Sequence, residues 1–348
     1  MIPVPASLAP MRRFLRRKRR AGLPIILMYH RIGDTAGEAS SDPWGSAVSP
    51  ARFAQHLDIL RRRRVVLSLR QLAARLAAGT LPHNGVVVTF DDGYADNLHA
   101  AKPLLETHDV PATVFAVASA IGRPTGFWWD ELAAILLRPG ALPPTLRLET
   151  GGTTQGWDLG AAAHLTAADA EACRDWRGWQ PPPTPRHALF LSLWRWLRER
   201  PDTQRLESLD ALRAWAGDGA RPAASPRPLT GEELVRLAEG GLVEIGAHTA
   251  THAPLPRLGA ALRDREVAGS KASLEARLGH EVRAFSYPHG EHDAASIASV
   301  RQAGFACACI TGETHVRRHT DPLCLPRIQA DDWDGEEFER RLSQEFIA

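Results

Sequence analysis

The run Val86-Val87-Val88-Thr89-Phe90-Asp91-Asp92-Gly93 decides the class of fold. Its first five residues are apolar or β-branched without alternation, the pattern of a strand covered on both faces. A turn-forming Asp-Asp-Gly follows at once. A helical pattern comes next, over residues 94–107, and then a second strand-like run at 112–117 (ATVFAV). Upstream, residues 24–30 (PIILMYH) read as another buried strand. Ser49-Pro50 supplies an N-cap and a proline for the first helical position, and Phe53, Leu57 and Leu60 follow at helical spacing. A further helix is expected over 69–78, between Ser68 and Gly79. Strands that keep alternating with helices predict a parallel sheet, here an α/β fold closed as a barrel.

The alternation breaks near Gly126. Residues 127–228 are rich in Trp, Pro, Ala and Arg and show no strand rhythm, so they read as a largely helical insertion; eight of the ten Trp lie between Trp128 and Trp215. The rhythm resumes at Thr230, which forms a capping box with Glu233. Strands are expected at 243–247, 284–287, 305–310 and 324–328, with helices within 262–278 and over 294–303. A final amphipathic helix begins near Gly335. The organisation expected is a basic flexible tail over 1–22 and a barrel over 23–348, interrupted by the insertion.

Composition narrows the classes further. With 44% apolar and 24% charged residues and a net charge of +2, the chain is globular, and no acidic partner follows from the total. Seven of the nine residues 12–20 are Arg or Lys. That run reads as a solvated arm or as a peripheral contact with an anionic membrane; nucleic-acid binding is not expected, since no basic surface with interleaved aromatics continues it. The apolar stretch after it is too short for a signal peptide or a transmembrane helix, so the cytoplasm is the expected location. Cys173, Cys307, Cys309 and Cys324 lack paired spacing and are expected to be reduced.

Catalytic groups of an α/β barrel come from the C-terminal ends of its strands. Four expected strand ends carry unusual polar residues: His30, Asp91-Asp92, His248 with His252, and His289. Each alone has an ordinary reading as a satisfied structural histidine or a turn. Together on one face of a barrel they are much harder to explain that way. His248-Thr249-Ala250-Thr251-His252 puts two imidazoles four residues apart, where both can face one ion, and a carboxylate from elsewhere makes a His₂Asp set with open positions. Two neighbouring carboxylates can divide the work, one on the ion and one free to take a proton from water.

Thr-Phe-Asp-Asp-Gly (89–93), His-Thr-Ala-Thr-His (248–252) and Phe-Ser-Tyr-Pro-His-Gly (285–290), in that order, resemble the motifs of the polysaccharide deacetylases of the NodB-homology type, carbohydrate esterase family four. The resemblance covers residues 24–125 and 230–330. It implies a distorted (β/α) barrel, usually of seven strands. It also implies Asp91 as general base, and Asp92, His248 and His252 as ligands of a divalent metal, commonly Zn²⁺. The backbone N–H of His289, after Pro288, would face the oxyanion. The implied reaction removes N-acetyl groups from amino sugars of a polysaccharide or glycan precursor. His30, Tyr287, Trp128 and Trp129 are expected to contact the carbohydrate.

Two departures stand out. The family's third motif often opens with an Arg that orients the base, where this chain has Ser286. The family's last motif, Leu-x-His, supplies a general acid; here Ile310-Thr311-Gly312 stands in its place, with His315 and His319 just beyond. The same site would serve a deformylase or an O-acetyl esterase acting on a lipid-linked or polymeric sugar, and a silent glycan-binding module is a further alternative. Arg327 is the only Arg of the expected last strand. It either pairs with a surface acid such as Asp331 or Asp332, or reaches inward to Asp91; we expect the second, because a barrel's last strand closes beside its first.

Overall fold

The computed structural model describes residues 22–33, 42–217, 226–312 and 315–347. The basic run at 12–20 lies outside them. Seven parallel strands close into a barrel: β1 (Ile25–Tyr29), β2 (Gly85–Phe90), β3 (Ala112–Ala116), β4 (Val243–Ala247), β5 (Ala284–Ser286), β6 (Cys307–Thr311) and β7 (Leu325–Gln329). Each pairs with its successor, and β7 returns to β1 through Leu27 and Ile328.

Alternation along these strands sorts their side chains into two layers. Ile26, Val87, Phe115, Cys309 and Leu325 fill the interior. Leu27, Val88, Val114, Ile245 and Phe285 point outward against the helices. Gly246 on β4 leaves room for Phe115, whose ring a Cβ there would meet at 2.4 Å. Both faces are therefore apolar, which is why the strands read as unbroken runs.

The helices outside the insertion follow the capping chemistry of the sequence. They are α1 (Pro50–Arg63), α2 (Leu69–Ala77), α3 (Lys102–His108) and, beyond the insertion's α4 to α7, α8 (Gly231–Ala238), α9 (Ala260–Leu278), α10 (Ala294–Gln302) and α11 (Gly335–Ile347). Ser68 and Gln71 form a capping box on α2, and Thr230 and Glu233 another on α8. Ser49 begins α1 without a side-chain cap, its hydroxyl bonded instead to Asp332 at 3.0 Å. Leu69, Leu72 and Leu76 of α2 pack into the interior cluster and plug the end of the barrel where the strands begin. The helix expected over 94–107 is two elements, a five-residue π-helix at Asn97–Ala101 running into α3. Asn97 Nδ2 donates to the His30 carbonyl at 2.9 Å, tying this bulge to the end of β1.

Between β3 and β4 the insertion carries α4 (Trp128–Leu136), α5 (Ala167–Ala172), α6 (Pro185–Arg198) and α7 (Asp202–Ala216), and α4, α6 and α7 build it a core of its own. It is not only helical. Thr145–Thr150 and Thr153–Asp158 form an antiparallel hairpin. Leu146 and Leu148 bury one face of it, and Gly151-Gly152, both at positive φ, make the turn. All four cysteines are unpaired, with Cys307 and Cys309 inside the barrel.

Candidate active site

Polar side chains gather where the barrel strands end. Asp91 extends β2, its N–H donating to the Tyr29 carbonyl at 3.0 Å. The chain then turns through Asp92 (φ 72) and Gly93 (φ 81), and a Cβ on Gly93 would lie 3.1 Å from the Ala116 backbone. Only glycine fits that approach. His248 extends β4, donating to the Ala116 carbonyl at 3.0 Å. Thr249, His252 and His289 also hold left-handed backbone angles, so four non-glycine residues in this conformation cluster at one end of the molecule. Such strain concentrates at sites over-determined by their surroundings.

Asp92, His248 and His252 present one ligand atom each within 4.8 Å of one another. Asp92 Oδ1 lies 3.7 Å from His248 Nε2 and 3.5 Å from His252 Nε2. It is buried and accepts no hydrogen bond. His248 Nδ1 donates to the Ser286 carbonyl at 2.8 Å, which leaves the Nε2 lone pair turned to the cluster. Burial lowers the His248 pKa to about 4, and burial together with His289 and His248 drives His252 well below its ordinary value. Burial and Asp91 push Asp92 well above the usual carboxylate range. Two neutral imidazoles and a carboxylate oxygen without a donor are what a divalent cation requires, so these residues fit one.

Asp91 has a different environment. Arg327 grips it with both nitrogens, Nη1 to Oδ1 at 2.7 Å and Nη2 to Oδ2 at 2.6 Å. Arg327 also donates to Ser286 Oγ at 2.8 Å and to Thr89 Oγ1 at 3.2 Å, and it is 1% exposed. Burial alone would raise the Asp91 pKa; the Arg327 charge, with His248, outweighs it and holds the carboxyl at about 2. The serine that stands where the resemblance calls for an arginine thus accepts from an arginine on β7. Arg327 pairs with neither Asp331 nor Asp332.

The cleft above these groups has a volume of about 300 Å³. His30 and His289 line it, as does Trp129, whose ring centre lies 4.7 Å from that of His252. Trp129 Nε1 donates to Tyr94 Oη, and Tyr94 donates to Asp130, both at 2.8 Å. Two expected contacts fall elsewhere. Tyr287 follows the inward Ser286, so alternation turns its ring outward; it is fully buried and packs on Phe285. Trp128 lies one helical position from Trp129 and turns into the insertion's core. His315 Nε2 donates to the Glu345 carbonyl, 2.9 Å away, near the start of β1, and His319 is exposed. Neither lines the cleft. Trp44 and Trp194 do, from segments 150 positions apart that packing alone brings together.

Residues 78–140 and 208–308 match a family model described as polysaccharide deacetylase. The YxkH protein of Bacillus subtilis is 31% identical over 112 residues, which is 32% of this chain and 37% of that protein, so the match spans little more than a third of the relative's length. IcaB from Ammonifex degensii superposes with a TM-score of 0.57 at 18% identity, covering 94% of this chain and 98% of that one. The Streptococcus pyogenes deacetylase PplD, in complex with acetate, gives 0.56 at 17% identity over 92% and 99%. At such identities these two likenesses are of fold.

Proposed function

Because the chain belongs to the polysaccharide deacetylase family, we propose that it is a metal-dependent hydrolase removing N-acetyl groups from amino sugars of a glycan, with Asp91 as general base. The observation that carries this reading is the division between neighbouring carboxylates. Asp91 is clamped and ionised by Arg327, while Asp92 Oδ1 has no donor and faces two imidazoles.

The ligand set Asp92, His248 and His252 suits Zn²⁺, which when bound would polarise the amide carbonyl and lower the pKa of water. Asp91 then takes the proton from the attacking water. Its two oxygens are held by Arg327, so the carboxylate needs no reorganisation before it accepts. The N–H of His289 would donate to the oxyanion as the carbonyl becomes tetrahedral. A proton must reach the departing nitrogen, and His30 and His289 are the two cleft imidazoles outside the ligand set. The products are a free amine and a carboxylate. Trp129, fixed by its bond to Tyr94, offers a face for the sugar ring. No described helix is long and apolar enough to cross a membrane.

The test is acetate release from N-acetylated oligosaccharides, with formate and ester cleavage measured in parallel. Release of acetate with matching amine formation, lost on chelation and regained with Zn²⁺, is expected. The His248→Ala and His252→Ala variants should bind no stoichiometric metal and release none. Full activity in a double variant that still carries one metal per chain would overturn the assignment. Formate as the sole acyl product would favour the deformylase reading.

A further inference from the structure

A second cavity, of about 420 Å³, runs along the outer face of β1 and β7 beneath α11. Leu27 and Ile328 form its floor, Asp331 and Trp333 one side, and Gln344 and Glu345 of α11 the other. Trp179 and Gln329 line this groove and also line the cleft that holds Asp91, so these two residues stand between the two cavities.

Trp179 is 64% exposed, although the insertion that carries it has an aromatic core of its own. An exposed indole standing between two cavities offers each of them a flat apolar face. The groove's other indole is held in place, with the Arg341 guanidinium 4.3 Å from the Trp333 ring centre. Around these rings stand polar and charged groups, and Arg341 is itself paired with Glu337 at 2.6 Å. Asp331 accepts from Gln329 Nε2 at 3.2 Å, and the Gln344 side chain is exposed. Flat indoles beside carboxylate and amide groups match a pyranose, whose C–H face is apolar and whose rim is hydroxyl. The cleft alone is at the small end of ligand sites, which span about 300–1,000 Å³.

We propose that this groove is a second carbohydrate-binding site, which holds further sugar units of the chain being deacetylated, with Trp179 as the platform between the two cavities. The substrate is then a glycan long enough to bridge both, not a single sugar on a carrier. This rests on the reading of the cleft as a deacetylase site.

The experiment measures acetate release from N-acetylglucosamine oligomers, dimer to hexamer, and compares kcat/KM at the two ends of the series. In the parent protein the hexamer should exceed the dimer by about tenfold. Trp179→Ala should bring that ratio towards one. Asp331→Asn, a milder change that guards against a folding defect in the first, should lower it by a smaller factor. A parent ratio near one, with acetate released throughout, overturns the groove and leaves the deacetylase reading in place. So does a full ratio in both variants. Acetate from none of the oligomers overturns the deacetylase reading, and the groove as part of it.

Discussion

Arg327 in the barrel and Arg186 in the insertion are each 1% exposed, yet their surroundings differ in kind. Arg327 meets a carboxylate, and although burial opposes its charge, Asp91 raises its pKa. Arg186 meets only carbonyls, those of Ala162, Leu136 and Gly140, and burial lowers it to about 10. The barrel answers the cost of burying a cation with a second charge, and that second charge is the proposed base, kept ionised. Around Arg186 the insertion answers with dipoles, which fix a shape and leave no reactive group. Arg205 belongs to neither side alone. It rises from α7, 2% exposed, pairs with Asp202 at 3.4 Å, and its Nη2 donates at 2.7 Å to the carbonyl of Thr251, between His248 and His252.

The contrast can be broken most severely at the carboxylate. Asp91→Asn leaves an amide that cannot accept a proton from water, so turnover should fall by about 10²–10⁴-fold, with metal content per chain unchanged by elemental analysis. Parent-like turnover would remove Asp91 from the role of base. Arg327→Met tests the other half of the pair. Asp91 works only when ionised, so activity is lost as pH falls through its pKa. Without the guanidinium, burial loses its main opponent and that pKa rises, which should carry the acidic limb of the pH–rate profile upward by about 1–3 pH units. The buried carboxylate left without a partner should cost about 3–5 kcal/mol in chemical denaturation. A limb that stays in place would show that Arg327 sets nothing about the base.

Arg186→Met should cost less, about 1–3 kcal/mol for the carbonyls left without a donor, and should leave the acidic limb where it was. A moved limb would erase the distinction between the two arginines. The smallest effect is expected for Arg205→Met. Metal affinity, read by competition with a chelator, should weaken about tenfold, or ~1.4 kcal/mol, and saturating metal should restore the rate. Unchanged affinity would mean that the insertion does not position the Thr251 loop.

The barrel was legible because strands buried on both faces leave continuous apolar runs, and because Asp91, Asp92, His248 and His252 sit directly after such runs. Arg327 could be found because the family resemblance calls for an arginine beside the proposed base where this chain has Ser286, and β7 carries one arginine. Tyr287 was misplaced for a local reason, since a strand reverses its side chains at every step and Ser286 already faces inward. The hairpin was overlooked although Thr145-Leu146-Arg147-Leu148-Glu149-Thr150 alternates and Gly151-Gly152 follows; the surrounding Trp and Pro hid a short rhythm. Trp44, Trp179 and Trp194 carry no local mark of their place in the cleft, because contacts between distant segments put them there.

The proposed base and its clamp lie 236 positions apart, Asp91 at the end of the second barrel strand and Arg327 on the last. At ~5–20 residues per second, a ribosome that has made Asp91 needs on the order of tens of seconds more to reach Arg327. Throughout that interval the nascent chain has a carboxylate bound for the barrel interior and no guanidinium to meet it. Docking of the last strand therefore closes the barrel and, in the same event, supplies the charge that keeps the proposed base ionised as it is buried, so that a chain cut short before β7 would lack catalysis for an electrostatic reason as well as a structural one.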